Sequence, residues 1–454
     1  MKMIDVYQSE NIQFINCIFR HAFCRAISFY ECKNCVIKQC LVEDFGGDGI
    51  VFGNSQGTLI ENNIVRHGGR FIHHENGIYD NPDPGAQIRH NDISDMFWDG
   101  INCWMDDKTG ITMTIEKNHV HHIGFNLLDD IGCIYVTNAN SGITIQNNYV
   151  HNAGCHNYGA WGIYVDLNCN GVVVQNNLAH DFYDGCIHFH YGFNNEVKNN
   201  ILGFGKLGLM SKGQDNSGTM VKIYNNIFIT EEGNFYCDYW GKNSFESYNN
   251  LYWDFGKSIQ WFRNNDGKEN TGTYKDPKFK DPKNRDFTFA DKLNANSIGF
   301  TEFDYSDCGV YGSSDWRSVA ESYVIEDFPE KSTDDSKLIS SEKMYPDYDN
   351  TPPVETPTLK IPDTYTFQFE SKIPETHTFQ FEFENSSPGE IGETSNTFGG
   401  DDNQNTNWFT KERTIYISVI AVVVVVIITV AISCFIYNKN KSNKDEDSNL
   451  EVYA

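Results

Sequence analysis

The chain has 454 residues and a formal net charge of −27, with 35 Lys and Arg against 62 Asp and Glu. This balance argues against a nucleic-acid-binding protein, because phosphate backbones require clustered Lys and Arg to displace counterions. It also argues against a basic surface that binds anionic lipid. The acidity is unevenly placed: residues 313–413 hold 21 acidic and 8 basic residues, and 8 of the 12 prolines. About half of the excess negative charge therefore lies outside the region expected to fold.

A short phrase, apolar–x–Asn–Asn–apolar, recurs along the first 250 residues. Its second Asn position falls at 17, 40, 63, 91, 118, 148, 177, 200, 226 and 250, so the spacing is 23 to 30 residues. A second short strand in each unit opens on Gly-Ile, as at Gly49-Ile50 and Gly77-Ile78. Short alternating strands repeated every ~25 residues predict a parallel β-solenoid of about ten coils. Asn suits this pattern because it tolerates the left-handed bend, and its amide can form a ladder with the next rung.

From Lys275 the pattern changes to Asp-Pro and Asp-Phe pairs, and it ends on Gly299-Phe300. This stretch resembles the closing segment of many carbohydrate-active right-handed parallel β-helix proteins with a pectate-lyase-like fold. Together with the coils, it predicts an all-β, right-handed parallel β-helix over residues 1–312.

Two further regions follow the predicted β-helix. Residues 313–413 are acidic and rich in Pro, Ser and Thr, which predicts a disordered stalk. Residues 414–438 carry no charge, and at ~1.5 Å per residue they are long enough to cross a ~30 Å hydrocarbon core. Lys439, Lys441 and Lys444 come directly after this span. The positive-inside rule therefore predicts a single-pass plasma-membrane protein with a cytosolic tail at 439–454 and an extracellular β-helix.

The N-terminus lacks the apolar core of a signal peptide, because Met1-Lys2-Met3 leads directly into a strand-like pattern. Three explanations remain open: a truncated N-terminus, insertion driven by the late span alone, or a tail-anchored protein that faces the cytosol. We favour truncation, because the first coil begins at once and a solenoid needs a cap over its open end. The only C-x-x-C motif, Cys32 to Cys35, predicts a disulfide or two buried thiols rather than a metal site.

Alignment of the Gly-Ile strands predicts columns of side chains along one wall. The inner column consists of Ile78, Ile101, Ile134, Ile163 and Ile187. One position further on, the predicted outward column consists of Tyr79, Asn102, Tyr135, Tyr164 and His188. Two positions beyond it, the same face shows Asn81, Trp104, Thr137, Asp166 and His190. Aromatic faces stack on sugar rings and polar groups bind hydroxyls, so these columns favour a glycan groove over a plain polar wall.

Carboxylates near this groove are the candidate catalytic groups: Asp80, Asp99, Asp106, Asp107, Asp129, Asp130, Asp166 and Asp184. Glycoside hydrolysis uses two carboxyl groups ~5–9.5 Å apart, one protonated as acid and one ionised as base or nucleophile. Asp166 belongs to a groove column by register, and Asp130 directly precedes the strand of the coil before it. Asp130 and Asp166 are one of several carboxylate pairs that an acidic protein would contain by chance.

Three stretches of sequence narrow the choice of catalytic carboxylates: LDDIGCIY (128–135), WGIYVD (161–166) and HFHYG (188–192), in this order. They resemble glycoside hydrolase family 141, which contains right-handed β-helix enzymes with α-L-fucosidase and xylanase members. The resemblance implies that Asp130 and Asp166 are the catalytic pair and that His188 and His190 belong to the substrate site. The sequence departs from that family after Asp166, where Leu167-Asn168 replace the usual acidic residue.

The remaining histidines of the coils lie in or just after the Asn phrase: His119, His121, His122, His151 and His180. We interpret them as turn or ladder residues that do not converge on one face, and we predict no metal and no cofactor. A polysaccharide lyase is a weaker alternative, because it would need an Arg or Lys base and the groove columns contain neither.

The sequence as a whole predicts a surface β-helix protein that binds and hydrolyses a polysaccharide or glycoprotein glycan. Asp130 and Asp166 would share the acid and the base or nucleophile roles. The predicted substrate-binding residues are Trp104, Tyr135, Tyr164, His188 and His190. A non-enzymatic adhesin on the same scaffold is the alternative.

Overall fold

The computed structural model describes residues 2–105, 110–140, 142–213, 218–232, 234–238, 245–257, 269, 271–325, 328, 364–369 and 377–382. The chain divides into two units, Met1–Glu384 and Asn385–Ala454. The second unit lies entirely outside the described residues, and so do the predicted span at 414–438 and the tail at 439–454. Among the residues that the structure describes, no helix is long and apolar enough to cross a membrane.

Three long parallel sheets form the walls of a β-helix, and each successive turn of the chain adds one strand to each sheet. Sheet 1 contains Lys2–Tyr7, Arg25–Tyr30, Ile50–Gly53, Ile78–Asn81, Ile101–Trp104, Ile131–Thr137, Ala160–Val165, Gly185–Phe189, Gly208–Lys212 and Asn234–Asp238. Sheet 2 contains Gln13–Ile15, Val36–Lys38, Leu59–Glu61, Gln87–Arg89, Met113–Glu116, Ile143–Gln146, Val173–Gln175, Asn195–Lys198, Val221–Tyr224 and Phe245–Tyr248. Sheet 3 contains Ile18–Ala22, Leu41–Phe45, Ile64–Gly68, Asp92–Met96, His119–Ile123, Tyr149–Ala153, Leu178–Phe182, Ile201–Gly203, Ile227–Ile229, Leu251–Trp253 and Thr273–Tyr274. The ten rungs make about nine turns, and the predicted solenoid is confirmed.

The predicted register of sheet 1 is also confirmed. Ile78 pairs with Ile101, and the same inner column continues through Ile134, Ile163 and Ile187. The Gly before the Ile is required by the tight stacking of rungs: a Cβ on Gly77 would come within 2.7 Å of the carbonyl oxygen of Gly100. The inner columns of the three sheets form one continuous apolar core along the helix axis.

The two Asn residues of the repeated phrase have different roles. The first residue takes a left-handed backbone conformation, as at Asn147 with φ 54°. The second forms a buried ladder, in which Asn118 Nδ2 donates to Asn148 Oδ1 at 3.0 Å and Asn148 Nδ2 donates to Asn177 Oδ1 at 3.0 Å. Each ladder amide also donates to a backbone carbonyl of the preceding rung, such as that of Ile115 at 2.9 Å. The ladder thus supplies partners to polar groups that the turn would otherwise bury alone.

Several short elements lie outside the three long sheets. A short parallel pair joins Cys169–Asn170 to Gly192–Phe193, and an antiparallel pair joins Phe279–Asp281 to Asp286–Phe289 around a 3-10 turn at Pro282–Asn284. Helix α1 covers Leu293–Ser297. In the second rung, between strands Arg25–Tyr30 and Val36–Lys38, Cys32 and Cys35 are two buried thiols without a disulfide.

A return segment, residues 299–323, then runs back along the β-helix from the ninth rung to the second. The outward Asn residues of the phrase bind it: Asn199 Oδ1 accepts from Thr301 N at 2.6 Å, and Asn62 Oδ1 accepts from Tyr311 N at 2.8 Å. Helix α2, Ser314–Glu321, lies inside this segment and buries Trp316 against the second and third rungs. Folded structure therefore extends past residue 312, where the stalk was predicted to begin.

The predicted stalk contains a tandem 12-residue repeat, IPDTYTFQF (361–369) and IPETHTFQF (373–381), and its two copies pair with each other. Strand Thr364–Phe369 is antiparallel to His377–Glu382, with Thr364 opposite Glu382. The strand pattern of this repeat therefore produces a hairpin in the described residues.

Candidate functional site

Two stacked tyrosines on the outer face of sheet 1 connect the two candidate catalytic carboxyls. The rings of Tyr135 and Tyr164 stack with centroids 4.3 Å apart, because parallel pairing places them on adjacent rungs. Tyr135 donates its hydroxyl to Asp166 Oδ2 at 2.6 Å, and Tyr164 donates to Asp130 Oδ1 at 3.1 Å. The two carboxyls therefore lie beside each other on the same wall of the β-helix.

Asp166 is held from two sides in its place just after strand Ala160–Val165. Besides the Tyr135 hydroxyl, the Nδ1 of His190 lies 2.7 Å from Asp166 Oδ1. Because an ionised carboxylate only accepts hydrogen bonds, His190 carries its proton on Nδ1 in this contact. Burial and the charge of Asp166 raise the pKa of Tyr135 far above its usual range, so this hydroxyl remains a donor. These two contacts hold the carboxylate of Asp166 in a fixed orientation.

Asp130 lies in a different environment at the entrance of strand Ile131–Thr137. Its backbone is left-handed, with φ 65°, and Gly159 of the next rung leaves room for it: a Cβ there would come within 2.7 Å of Asp130 N. Burial raises the pKa of Asp130, and the charge of Asp166 raises it further, whereas the Tyr164 hydroxyl acts in the opposite direction. Asp130 is thus biased towards the protonated form.

The aromatic residues that were predicted to stack on sugar instead pack against one another. Trp161 stacks on His188 with centroids 4.0 Å apart and lies 4.5 Å from the Tyr164 ring. Tyr135, Tyr164 and His188 are consequently 8%, 3% and 5% exposed. The predicted register of the outward column is correct. However, Trp161 covers this column, so these rings have no face free to stack on a sugar. Burial also lowers the pKa of His188 to about 3, and His188 therefore serves as a neutral partner of the Ser211 hydroxyl, 2.6 Å away.

Three other side chains at this wall reach solvent. Trp104, from the predicted set, is 43% exposed and faces outward from strand Ile101–Trp104. The His190 side chain is 30% exposed. Tyr158, which sequence reasoning missed, is 55% exposed, and the charge of Asp130 raises its pKa. The only signal in the sequence was that Tyr158 stands just before Gly159 at the entrance of the strand. In the structure this glycine has a positive φ.

The remaining carboxylate candidates have structural roles or lie outside the described residues. Asp99 and Asp184 each accept a backbone N–H from a neighbouring rung, Gly132 N at 2.8 Å and Ala160 N at 2.9 Å. Asp129 binds backbone amides of the 157–158 turn. Asp80 points into the core. The last two candidates, Asp106 and Asp107, are not among the described residues.

The histidines of sheet 3 differ from expectation. His119, His121 and His151 converge, with one ring nitrogen of each within 4.8 Å of the others. The prediction that they would not share a face is wrong for these three. The signal was present in the sequence, because His121 and His151 stand at the same offset from Asn118 and Asn148 and therefore pair across rungs. His119 lies two residues before His121, on the same face of the strand.

Comparison with known proteins agrees with the fold. Residues 2–161 match the family model described as "Right handed beta helix region". The class that fold and match define is therefore the right-handed parallel β-helix. No curated protein matches the chain. The matched part ends before Asp166, so the resemblance to glycoside hydrolase family 141 stays a prediction.

Solved structures similar to this chain include the complex of XylC with xylose, at 16% identity and TM-score 0.37, covering 56% of this chain and 53% of that one. Pectate lyase Pel9A matches at 11% identity and TM-score 0.32, covering 65% and 61%. A mannuronic acid specific polysaccharide family 6 lyase from human gut microbiota matches at 11% identity and TM-score 0.34, covering 66% and 92%. The chain thus spans little more than half of the first two structures.

Proposed function

We propose that this protein is a glycoside hydrolase that acts on a fucoside or xylan class of glycan. The observation that carries the proposal is the contrast between two adjacent carboxyls. Asp166 accepts hydrogen bonds from Tyr135 and His190, whereas burial and the charge of Asp166 favour the protonated form of Asp130. Neighbouring carboxyls whose protonation states are separated by their environments are what glycoside hydrolysis requires.

In this proposal Asp130 is the general acid and Asp166 is the base or nucleophile. Asp130 gives its proton to the glycosidic oxygen as the bond from that oxygen to the anomeric carbon breaks. Asp166 either attacks the anomeric carbon or takes a proton from the attacking water. Tyr164 holds the acid in place, and Trp104, which is exposed, supplies the apolar surface for a sugar ring.

The alternative function is a non-enzymatic glycan-binding protein of the cell surface. The observation that favours it is the burial of Tyr135, Tyr164 and Trp161, since they form a closed aromatic cluster rather than an open sugar platform. Trp104 and Tyr158 would then be the main contacts for a bound glycan.

The test compares the full chain with Asp130→Asn and Asp166→Asn variants on xylan and on aryl fucosides. Loss of acid or base catalysis should lower turnover by about 10²–10⁴-fold in both variants. Asp129→Asn is the matched control, because it removes a neighbouring charge outside the pair. Equal turnover by the wild-type chain and Asp166→Asn rejects the site, and glycan binding without turnover in the wild-type chain supports the alternative.

We further propose that residues 414–438 anchor the protein in the plasma membrane with the β-helix outside. Support comes from the 25 uncharged residues and the lysines that follow them. The full chain should remain with membranes after an alkaline carbonate wash, whereas a chain that ends at residue 413 should be released. Release of both would reject the anchor.

A further inference from the structure

A cluster of three histidines lies on sheet 3, on a wall of the β-helix that the proposed catalytic pair does not use. His119 and His121 belong to the fifth rung, and His151 belongs to the sixth. The rings are packed in layers, with 4.1 Å between the centroids of His119 and His121 and 5.0 Å between those of His121 and His151. All three side chains are partly exposed, so the cluster is accessible from solvent.

Hydrogen bonds outside the cluster determine which nitrogen of the His119 and His151 rings is free to bind a ligand, whereas His121 Nδ1 lies 2.8 Å from His122 Nδ1. His119 Nδ1 lies 2.8 Å from Asp92 Oδ2, and His151 Nδ1 lies 2.6 Å from Asn152 Oδ1. These oxygens accept, so both Nδ1 atoms carry the hydrogen and both Nε2 atoms carry a lone pair. The two Nε2 atoms nevertheless face each other at 2.9 Å.

Two lone pairs at this separation repel each other unless a positive charge lies between them. A shared proton is one way to supply that charge, and a metal ion is the other. The surroundings favour the metal, because a histidine that binds a metal through one nitrogen usually donates its other N–H to a carboxylate or amide oxygen. Asp92 and Asn152 do this for His119 and His151.

We propose that His119 Nε2, His151 Nε2 and a ring nitrogen of His121 bind a divalent transition-metal ion of the zinc class. Three imidazole ligands suit Zn²⁺ best among the abundant divalent ions, since Ca²⁺ and Mg²⁺ prefer oxygen. Asp92 is a positioning residue: it orients His119 and adds a negative charge beside the ion, with Oδ1 lying 3.7 Å from His121 Nε2. A fourth position remains for water.

The bound ion would join the fifth and sixth rungs from the outside. Its ligands come from two rungs that are otherwise linked here by backbone hydrogen bonds and ring stacking. Metal binding to the folded chain alone raises the apparent stability by mass action. This role is independent of the glycan site on sheet 1, so either proposal can fail without the other.

The test uses the full chain purified without a polyhistidine tag, stripped with EDTA and titrated with ZnCl₂ by calorimetry. The expected result is one Zn²⁺ per chain and a rise in melting temperature. Replacement by Co²⁺ should give the intense visible absorption of a tetrahedral nitrogen site. His121→Gln and His151→Gln should each weaken binding by more than about tenfold, and Asp92→Asn should weaken it by about 10–100-fold.

His21→Gln is the matched control, because His21 also pairs with a carboxylate, Asp44 at 2.5 Å, but lies on the first rung away from the cluster. It should bind Zn²⁺ as the unaltered chain does. Circular dichroism verifies that each variant keeps its β-sheet content. Absence of stoichiometric binding in the unaltered chain overturns the proposal and leaves a shared proton between the rings. Equal affinity of the unaltered chain, His121→Gln and His151→Gln overturns it as well.

Discussion

Asp130 and Asp166 have the same side chain but different surroundings: Asp166 accepts hydrogen bonds from Tyr135 and His190, whereas burial raises the pKa of Asp130. The hydrogen bond from the Tyr164 hydroxyl lowers the pKa of Asp130, as His190 also does, against burial and the charge of Asp166. Removal of that hydroxyl should therefore raise this pKa further. A general acid must be protonated to act, so its pKa sets the alkaline limb of the pH–rate profile.

Tyr164→Phe is expected to move the alkaline limb of kcat/KM to higher pH, by a few tenths to about one pH unit. The measurement is a pH–rate profile of each chain on the same substrate. Tyr224→Phe is the control, because Tyr224 also donates to a carboxylate, Glu196 at 3.0 Å, but does so away from the site. A limb that moves to lower pH would contradict the assignment of Asp130 as the acid.

Asp80 is an acidic residue in the apolar core, and its side chain conflicts with these apolar surroundings. It is 1% exposed, occupies the inner column between Phe52 and Cys103, and neither carboxyl oxygen has a hydrogen-bond partner among the described residues. Burial raises its pKa well above the usual value, so the folded chain binds a proton that the unfolded chain releases. The free energy of unfolding should thus fall as pH rises above ~4, by up to about 1.4 kcal/mol per pH unit from this group.

Asp80→Val is expected to remove that slope and to raise the free energy of unfolding at pH 7 by about 2 kcal/mol. Val is the residue that the same column carries at Val136 and Val165. Urea unfolding at several pH values measures both effects. Asp5→Val on the first strand, where the carboxylate is exposed, should change stability by less than about 0.5 kcal/mol. An unchanged pH slope in Asp80→Val would show that Asp80 is not the source.

At the scale of elements, the Asn ladder is the feature that the sequence revealed best. The side chain of Asn148 makes four hydrogen bonds of 2.9–3.0 Å, to Asn118, Asn177 and the carbonyl of Ile115. Asn148→Ala should destabilise the chain by about 2–4 kcal/mol, because it leaves buried polar groups of Asn118 and Ile115 without partners. Thermal or urea unfolding measures this cost.

Asn147→Gly provides the comparison for the ladder variant. Asn147 is the outward, left-handed residue of the same phrase, and Gly adopts that conformation without strain. Its cost should be less than about 1 kcal/mol. Similar losses for the two variants would contradict the division of roles between the two Asn residues.

The β-helix and the register of sheet 1 could be predicted because the same sequence pattern recurs in successive coils. In addition, a shift of one residue in the strand pairing would expose every inner Ile. The burial of Tyr135 and Tyr164 could not be predicted, because it depends on Trp161 folding over them. The convergence of His121 and His151 was open to prediction from the same register, since both follow the ladder Asn of their rung at the same offset. Helix α2 was hidden by its composition, since Ser313 to Glu321 resemble the acidic stalk that follows.

At the scale of the whole molecule, the return segment changes how the solenoid is held together. An ordinary solenoid is stabilised only between neighbouring rungs, whereas here Asn62, Asn199 and Asn225 bind one strip of chain that spans many rungs. Trp316 fixes the far end of that strip, with Nε1 donating to Asn62 Oδ1 at 3.2 Å. Loss of this anchor should affect several rungs at once.

Trp316→Ala should lower the free energy of unfolding by about 3 kcal/mol, from the lost side-chain packing. Limited proteolysis should then cut within residues 313–325 before any rung is cut. Trp316→Phe, which keeps most of the packing and loses one hydrogen bond, should cost about 1 kcal/mol and leave this region resistant. Unchanged protease resistance in Trp316→Ala would contradict the role of α2 as an anchor.

The position of the return segment also fixes an order of events during synthesis. The ribosome delivers the chain N-terminus first, so the second and third rungs emerge more than two hundred residues before Trp316 does. Until then the apolar side chains of Leu41 and Ile64, which Trp316 later covers, remain open. A nascent chain therefore presents a hydrophobic site to chaperones for most of its translation, and completion of α2 ends that exposure.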